Sequence, residues 1–259
     1  VTRPYNGAVL LAVDVGNTLI TLGVHDGTDW RGRWRVRAVL GKTADEYGIL
    51  IQGILARAGV AEVTRVALAS AVPALAAVFR ELGEGWWGCP VLVVGPGVKT
   101  GLAVRTDHPS EVGPDLVANA VAAHARFGAP AVAVDFGTAT SFVAVTPPGV
   151  LGGVVIAPGL ETGATGLAER AAQLPRVPLA VPRTALGKNT VHAMQAGVVF
   201  GQAALVDGIL ARLTEEIGPA PVVATGAWAE LLAPLCRAVD AVDPLLTLEG
   251  IRLIAERNP

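Results

Sequence analysis

The chain has 259 residues, 52% of them hydrophobic and 16% charged. That excludes a disordered polymer and is enough chain to bury one large core or two ordinary ones. The formal net charge is −2 and no basic stretch accompanies it, so neither nucleic acid nor an anionic membrane is expected as a partner. Cys89 and Cys236 are too few for a disulfide framework and read as packed thiols. His25, His108, His124 and His192 are scattered and read as structural or surface residues. The start, Val1 to Gly7, is short and polar and has no leader-like apolar run. The longest uncharged stretch, Asn189 to Val206, contains His192, Gln195 and Gln202 and does not read as a membrane span. A cytoplasmic protein is expected.

In chain order, Leu11 to Val24 reads as a β-hairpin with Asp14-Val-Gly16-Asn17-Thr18 at its bend. Thr43 to Ala58 follows as a helix with Tyr47, Leu50, Ile51, Ile54 and Leu55 on one face, and Asp45-Glu46 in its first turn suits the helix dipole. A strand at Arg65 to Ser70, a helix at Pro73 to Leu82 and a buried strand at Val91 to Val94 come next; Gly95-Pro-Gly97 then turns the chain. Pro114 to Arg126 reads as a helix. A second hairpin, Val132 to Val145, carries Asp135-Phe-Gly137-Thr138 at its bend. Gly152 to Ile156 is a strand, Ala164 to Gln173 a helix, and Pro175 to Pro182 an extended linker. The long helix Thr190 to Ile217, a strand at Val222 to Thr225 and a last helix at Leu248 to Glu256 complete the chain.

The two hairpins repeat one chemistry nearly half the chain apart, the sign of a duplicated domain rather than of a short-period solenoid. The boundary is placed at residues 112/113, giving domains 1–112 and 113–259. An Asp at a strand end suits a cation held partly through water, and the glycine after it lets backbone approach a phosphate. A plain turn uses the same residue types. One bend alone leaves both readings open; two alike favour a phosphate clamp with two carboxylates. Gly113-Pro114-Asp115 makes an ordinary helix start, or else places Asp115 as a general base for an attacking hydroxyl. At Gly187-Lys-Asn-Thr190, Asn189 or Thr190 caps the long helix, or Thr190 and free N–H groups bind a polar ligand. It is no Walker A loop, since position 182 is proline. Thr225-Gly226-Ala227 is either a bland strand-to-helix turn or a place where a flat base meets backbone.

The duplicated hairpin resembles the actin, hexokinase and sugar-kinase superfamily. Finer motifs resemble one branch, the type III pantothenate kinases. These are Asp14-Val-Gly-Asn-Thr18, Thr43-Ala-Asp-Glu-Tyr-Gly48, Gly95-Pro-Gly-Val-Lys-Thr-Gly-Leu102, Asp135-Phe-Gly-Thr-Ala-Thr140, Ala157-Pro-Gly159, Gly187-Lys-Asn-Thr190 and Asp243-Pro-Leu-Leu-Thr-Leu-Glu-Gly250. They run in family order over nearly the whole chain. The resemblance implies an α/β fold of two duplicated ribonuclease H-like (actin-like) domains with an ATP cleft between them. It implies ATP-dependent phosphorylation of pantothenate to 4′-phosphopantothenate, the first step towards coenzyme A. By the same resemblance Asp14, Gly16, Asn17, Thr18 and Thr21 hold the ATP phosphates, and Asp14 organises Mg²⁺. Asp135 holds a monovalent cation, K⁺ or NH₄⁺. Gly137, Thr138 and Gly226 contact the nucleotide. Asp115 is the catalytic base, and Thr106, Gly113, Pro114, Leu116 and Thr190 line the acceptor site. A homodimer is also implied, with Met194, Val198, Leu205, Ile209 and Leu213 of the long helix available for its interface.

The chain departs from the family at the acceptor side. Leu116 stands where the family has an arginine, Thr106 where an aromatic is usual, and Ala227 where a second glycine is usual. Losing one charge-assisted contact to the substrate carboxylate costs about 1.5–3 kcal/mol; Arg105, Lys99 and Lys188 are the cations available to replace it. Phosphorylation of another small alcohol, or a nucleotide-binding regulator without catalysis, are the alternatives these departures raise.

Overall fold

The structure, a computed structural model, describes residues 9–259. The polar start, Val1 to Gly7, lies outside the described residues. In chain order the elements are β1 (Leu10–Val15), β2 (Leu19–His25), β3 (Trp30–Arg37), α1 (Ala44–Arg57), β4 (Arg65–Ser70), α2 (Pro73–Trp86), β5 (Val91–Val93), β6 (Ala103–Val104), α3 (Pro114–Phe127), β7 (Ala131–Phe136), β8 (Ala139–Thr146), β9 (Val150–Pro158), α4 (Leu160–Arg170), α5 (Thr190–Ile217), β10 (Val222–Thr225), α6 (Ala229–Leu232), β11 (Ala241–Val242) and α7 (Leu246–Arg257).

Two compact units emerge. One takes in the chain to Leu102, together with His108–Ala122 and Leu245–Pro259; the other takes in Ala103–Asp107 and Ala123–Pro244. These units do not follow a single cut at residues 112/113. The last helix, α7, folds back into the first unit, where Leu248, Ile251 and Ile254 are buried. Gly250 of α7 lies so close to the Ala118 carbonyl of α3 that no side chain fits there, and Thr247 donates to Asn119 Oδ1 at 2.8 Å. Packing of this kind groups residues by contact, whatever their order in the chain.

The first unit is built on a five-stranded sheet ordered β3-β2-β1-β4-β5, with β1 antiparallel to β2 and parallel to β4. Side chains alternate across a strand. Leu11, Val13 and Val15 therefore share a face with Ile20, Leu22 and Val24, and that face joins one core with Tyr47, Ile51 and Leu55 of α1 and Leu75, Phe79 and Leu82 of α2. Leu50, expected on the buried side of α1, is 37% exposed because the i, i+4 stripe of Tyr47, Ile51 and Leu55 takes the sheet. Thr43 and Glu46 close a capping box at the start of α1, with N–H to oxygen distances of 3.3 and 2.9 Å.

The second unit has a six-stranded sheet ordered β11-β10-β7-β8-β9-β6. Read from β9 to β11, it repeats the first sheet with β7 in the place of β1, so the duplication is real at the level of topology. β6 adds an edge strand parallel to β9. Val199, Ala203, Val206 and Leu210 of α5 fill its core against Val132, Val134, Phe136 and Phe142. By length and composition α5 is the one helix among the described residues able to cross a membrane. Here its polar side chains are satisfied inside the fold: Gln202 donates to Thr140 Oγ1 at 3.0 Å and Gln195 to the Pro178 carbonyl at 2.8 Å. Met194 is buried, and Val198, Leu205, Ile209 and Leu213 are partly buried, packed against the same core.

Several elements differ from the sequence reading: the two-residue strands β6 and β11 are not in it, and α2 runs to Trp86 rather than Leu82. β3 has no counterpart in that reading, because Trp30-Arg-Gly-Arg-Trp-Arg-Val-Arg37 alternates around arginines and lacks an apolar run. α4 spans Leu160–Arg170 rather than 164–173, starting directly after Gly159.

Candidate active site

The two bends are built alike. Asp14 is the fifth residue of β1 and pairs with Thr21 on one side and Ala69 on the other. Asp135 is the fifth residue of β7 and pairs with Ser141 and Thr225. Each aspartate is partly exposed between two buried neighbours, Val13 and Val15 or Val134 and Phe136, because alternation turns it away from the core. The Gly16 N–H donates to the Leu19 carbonyl and the Gly137 N–H to the Ala139 carbonyl, both at 3.0 Å. Asn17, Thr18 and Thr138 are exposed at the tips. The first bend is the longer: Val15 pairs with Ile20, whereas Phe136 pairs with Thr140.

The second bend is buttressed. The Thr138 carbonyl accepts from the Gly159 N–H at 3.2 Å and from the Thr162 hydroxyl at 2.6 Å, and the Phe136 carbonyl accepts from the Trp228 N–H at 3.2 Å. Gly226 lies against Asp135 with φ of 98°, and any side chain there would collide with the Asp135 carboxylate. Gly137 is different. A methyl group on it would sit 3.5 Å from the Ala139 carbonyl and 3.6 Å from Asp135 Oδ1, in ordinary contact. The fold does not need glycine at that position, so the missing side chain serves the space beside the bend. Thr162 carries no motif signal, and sequence reading passes over it.

Asp115 sits in the first turn of α3, in the same unit as Asp14. Burial pushes its carboxyl above the ordinary carboxylate range, while hydrogen bonds from the Leu116 N–H and its own N–H pull it partly back. A side chain at Gly113 would collide with this carboxylate, which explains why glycine precedes Pro114. Leu116 is only 6% exposed. Its side chain is covered by protein at the start of the helix, next to Gly113.

In the second unit the Thr106 hydroxyl oxygen is buried without a hydrogen-bond partner. Thr190 is exposed at the start of α5, and Asn189 caps that helix by accepting from the His192 N–H at 2.9 Å. Arg105, Lys99 and Lys188 are all exposed. Among the described residues no group of three or more His, Cys, Asp or Glu side chains could hold a metal.

The family model for type III pantothenate kinases matches residues 10–212. The chain belongs to this family. It is 47% identical over 253 residues to the type III pantothenate kinase of Moorella thermoacetica, covering 96% of this chain and all 100% of that protein. Identity to the Acidothermus cellulolyticus type III pantothenate kinase is also 47% over 253 residues, covering 96% and 99% of the two chains. Among solved structures, the ROK hexokinase of Thermus thermophilus shares the fold, with a TM-score of 0.51 at 16% identity over 95% of this chain and 97% of that one. Like it, this type III pantothenate kinase family member has the actin/hexokinase-like α/β architecture, here as two units with the same strand order.

Proposed function

We propose that this chain phosphorylates pantothenate with ATP to give 4′-phosphopantothenate, the first step towards coenzyme A. Family membership over nearly the whole chain carries this reading, and the site supplies the roles. Asp115 takes the proton of the acceptor hydroxyl as its oxygen bonds to the γ-phosphorus; the bond to the β,γ-bridging oxygen breaks and ADP leaves. A carboxylate whose carboxyl is held above the ordinary range by burial is a stronger base than an ordinary aspartate. Gly16, Asn17, Thr18 and Thr21 on the first bend, and Gly137 and Thr138 on the second, hold the phosphates through backbone N–H groups and hydroxyls. Gly226 keeps Asp135 and the nucleotide side uncrowded.

Asp14 suits Mg²⁺ and Asp135 suits K⁺ or NH₄⁺. Each offers a single carboxylate, which fits a magnesium ion that arrives on substrate phosphates and keeps its waters, not one caged by protein alone. When bound, Mg²⁺ neutralises charge on the phosphoryl oxygens. Thr106, Gly113, Pro114 and Thr190 serve the acceptor, with the unsatisfied Thr106 hydroxyl as its first partner. The protein works as a cytoplasmic homodimer in this reading; Ile156 and Leu186, 65% and 80% exposed, are apolar surface that a second copy would cover.

One observation favours a second acceptor class. The first turn of α3 carries no cation, and Leu116 in it is apolar and buried. An alcohol without a carboxylate would lose nothing there. The test is mass-spectrometric detection of phosphorylated product from purified protein, ATP, Mg²⁺ and K⁺, offered pantothenate or its neutral amides, with Asp115→Asn as control. Product from pantothenate in the wild type alone supports the first reading. Product from the amides alone supports the second, and no product with ATP bound removes both.

A further inference from the structure

The strand that sequence reading passed over has a pattern of its own. β3 is the edge of the first sheet, and Arg33, Arg35 and Arg37 alternate along it. Register fixes the face they occupy. Arg37 pairs with Leu19, Arg35 with Thr21 and Arg33 with Gly23, while on the other side of β2 Thr21 pairs with Asp14. Asp14, Thr21 and Arg35 therefore form one line across three strands, on the same face of the sheet. Two strand spacings put the Arg35 backbone about 10 Å from that of Asp14, within span of a long side chain and a bound phosphate chain.

The remaining members of the row are otherwise engaged or differently placed. Arg31 falls at an irregularity of the β2–β3 register and is ion-paired with Asp26. Trp30 turns onto α7, where its indole N–H donates to Glu249 at 3.0 Å and Leu248 crowds Gly23. α7 thus covers the far end of this face, and the end bearing Asp14, Thr21 and Arg35 stays partly or fully exposed. No carboxylate among the described residues lies within ion-pair distance of Arg35.

The charge balance of the first bend then matters. Its side chains are one carboxylate and the neutral Asn17 and Thr18. A triphosphate approaching it meets the Asp14 carboxylate. We infer that Arg35 is a phosphate-binding residue of the first bend, its guanidinium holding outer oxygens of the triphosphate across Thr21 from Asp14. This rests on the reading of the Asp14 bend as a phosphate site. Arg37, beside Leu19 at the mouth of the bend, extends the same positive edge. A planar guanidinium offers paired donors that match phosphate oxygens, which lysine does not.

The experiment compares wild type, Arg35→Gln and Arg35→Lys by calorimetric titration with ATP, inorganic tripolyphosphate and adenosine, with Arg80→Gln on α2 as the charge-loss control. Circular dichroism confirms folding. In Arg35→Gln, ATP and tripolyphosphate are expected to bind about tenfold more weakly, the loss of one charge-assisted hydrogen bond. Adenosine should bind unchanged, Arg35→Lys should recover part of the loss, and Arg80→Gln should match wild type. Tripolyphosphate binding in Arg35→Gln equal to wild type overturns the assignment and leaves β3 with charges that merely guard a sheet edge. A wild type that binds neither ATP nor tripolyphosphate overturns the reading of the bend itself.

Discussion

The two Asp-x-Gly bends share a topology and differ in what holds them. The second is shorter and its carbonyls are tied down from α4 and from the turn after β10: Thr138 by Gly159 and Thr162, Phe136 by Trp228. The first is one residue longer; its Thr18 carbonyl accepts from the Ala38 N–H at 3.0 Å, beside the arginine edge of β3. Duplication preserved the strand order that places an aspartate at a sheet end, while each half acquired its own means of presenting it. In the proposed reading, the preorganised dipoles of the second bend cost no reorganisation when a phosphate binds, and the first bend draws also on the charges around it.

The largest expected effect separates chemistry from both bends. Asp115→Asn should lower turnover by about 10²–10⁴-fold, the usual share of a general base, and leave ATP affinity near wild type. The same substitution should stabilise the fold at neutral pH. The folded-state carboxyl is raised, so the stability Asp115 contributes is present below the ordinary carboxylate range and lost as pH rises through the raised value. A thermal-melt series against pH should show the variant's advantage above that value and none in acid. Wild-type turnover in the variant would remove Asp115 from its role.

Next come the glycines, which sharpen the contrast between support and space. Gly226→Ala forces a side chain onto Asp135 at a positive φ and should cost about 1–3 kcal/mol of stability, read by urea unfolding. Gly137→Ala meets only ordinary contacts and should melt as wild type does, yet bind ATP at least about tenfold more weakly if a phosphate occupies that space. Equal ATP affinity would break the proposed use of the second bend. The smallest effect concerns the buttress. Thr162→Val should lose about 1 kcal/mol of stability by removing the hydroxyl that donates to Thr138. Asn17→Ala, exposed at the first bend, should lose almost none, and a matching loss there would erase the difference between the two.

Much of this architecture is legible in the chain. The hairpins, the capped α1, the exact span of α5 and the buried strand β10 follow from period, caps and β-rich runs, all of which are local signals. Leu116 is less readable: a leucine at a helix start looks the same in sequence whether it stays exposed or is covered, and its 6% exposure comes only from the tertiary structure. β3 escapes because an edge strand needs only one apolar face, and arginines on its other face dilute the pattern.

Local chemistry in the sequence therefore determined the two aspartate bends, the helix starts and the duplication, since each depends on residues close together in the chain. Tertiary structure alone decided that α7 belongs with the first unit, that Thr162 steadies Thr138, and that Arg35 lines up with Asp14 through Thr21. Those relations depend on strand register and on contacts between distant segments, and a linear order of residues does not specify either until the sheets have formed.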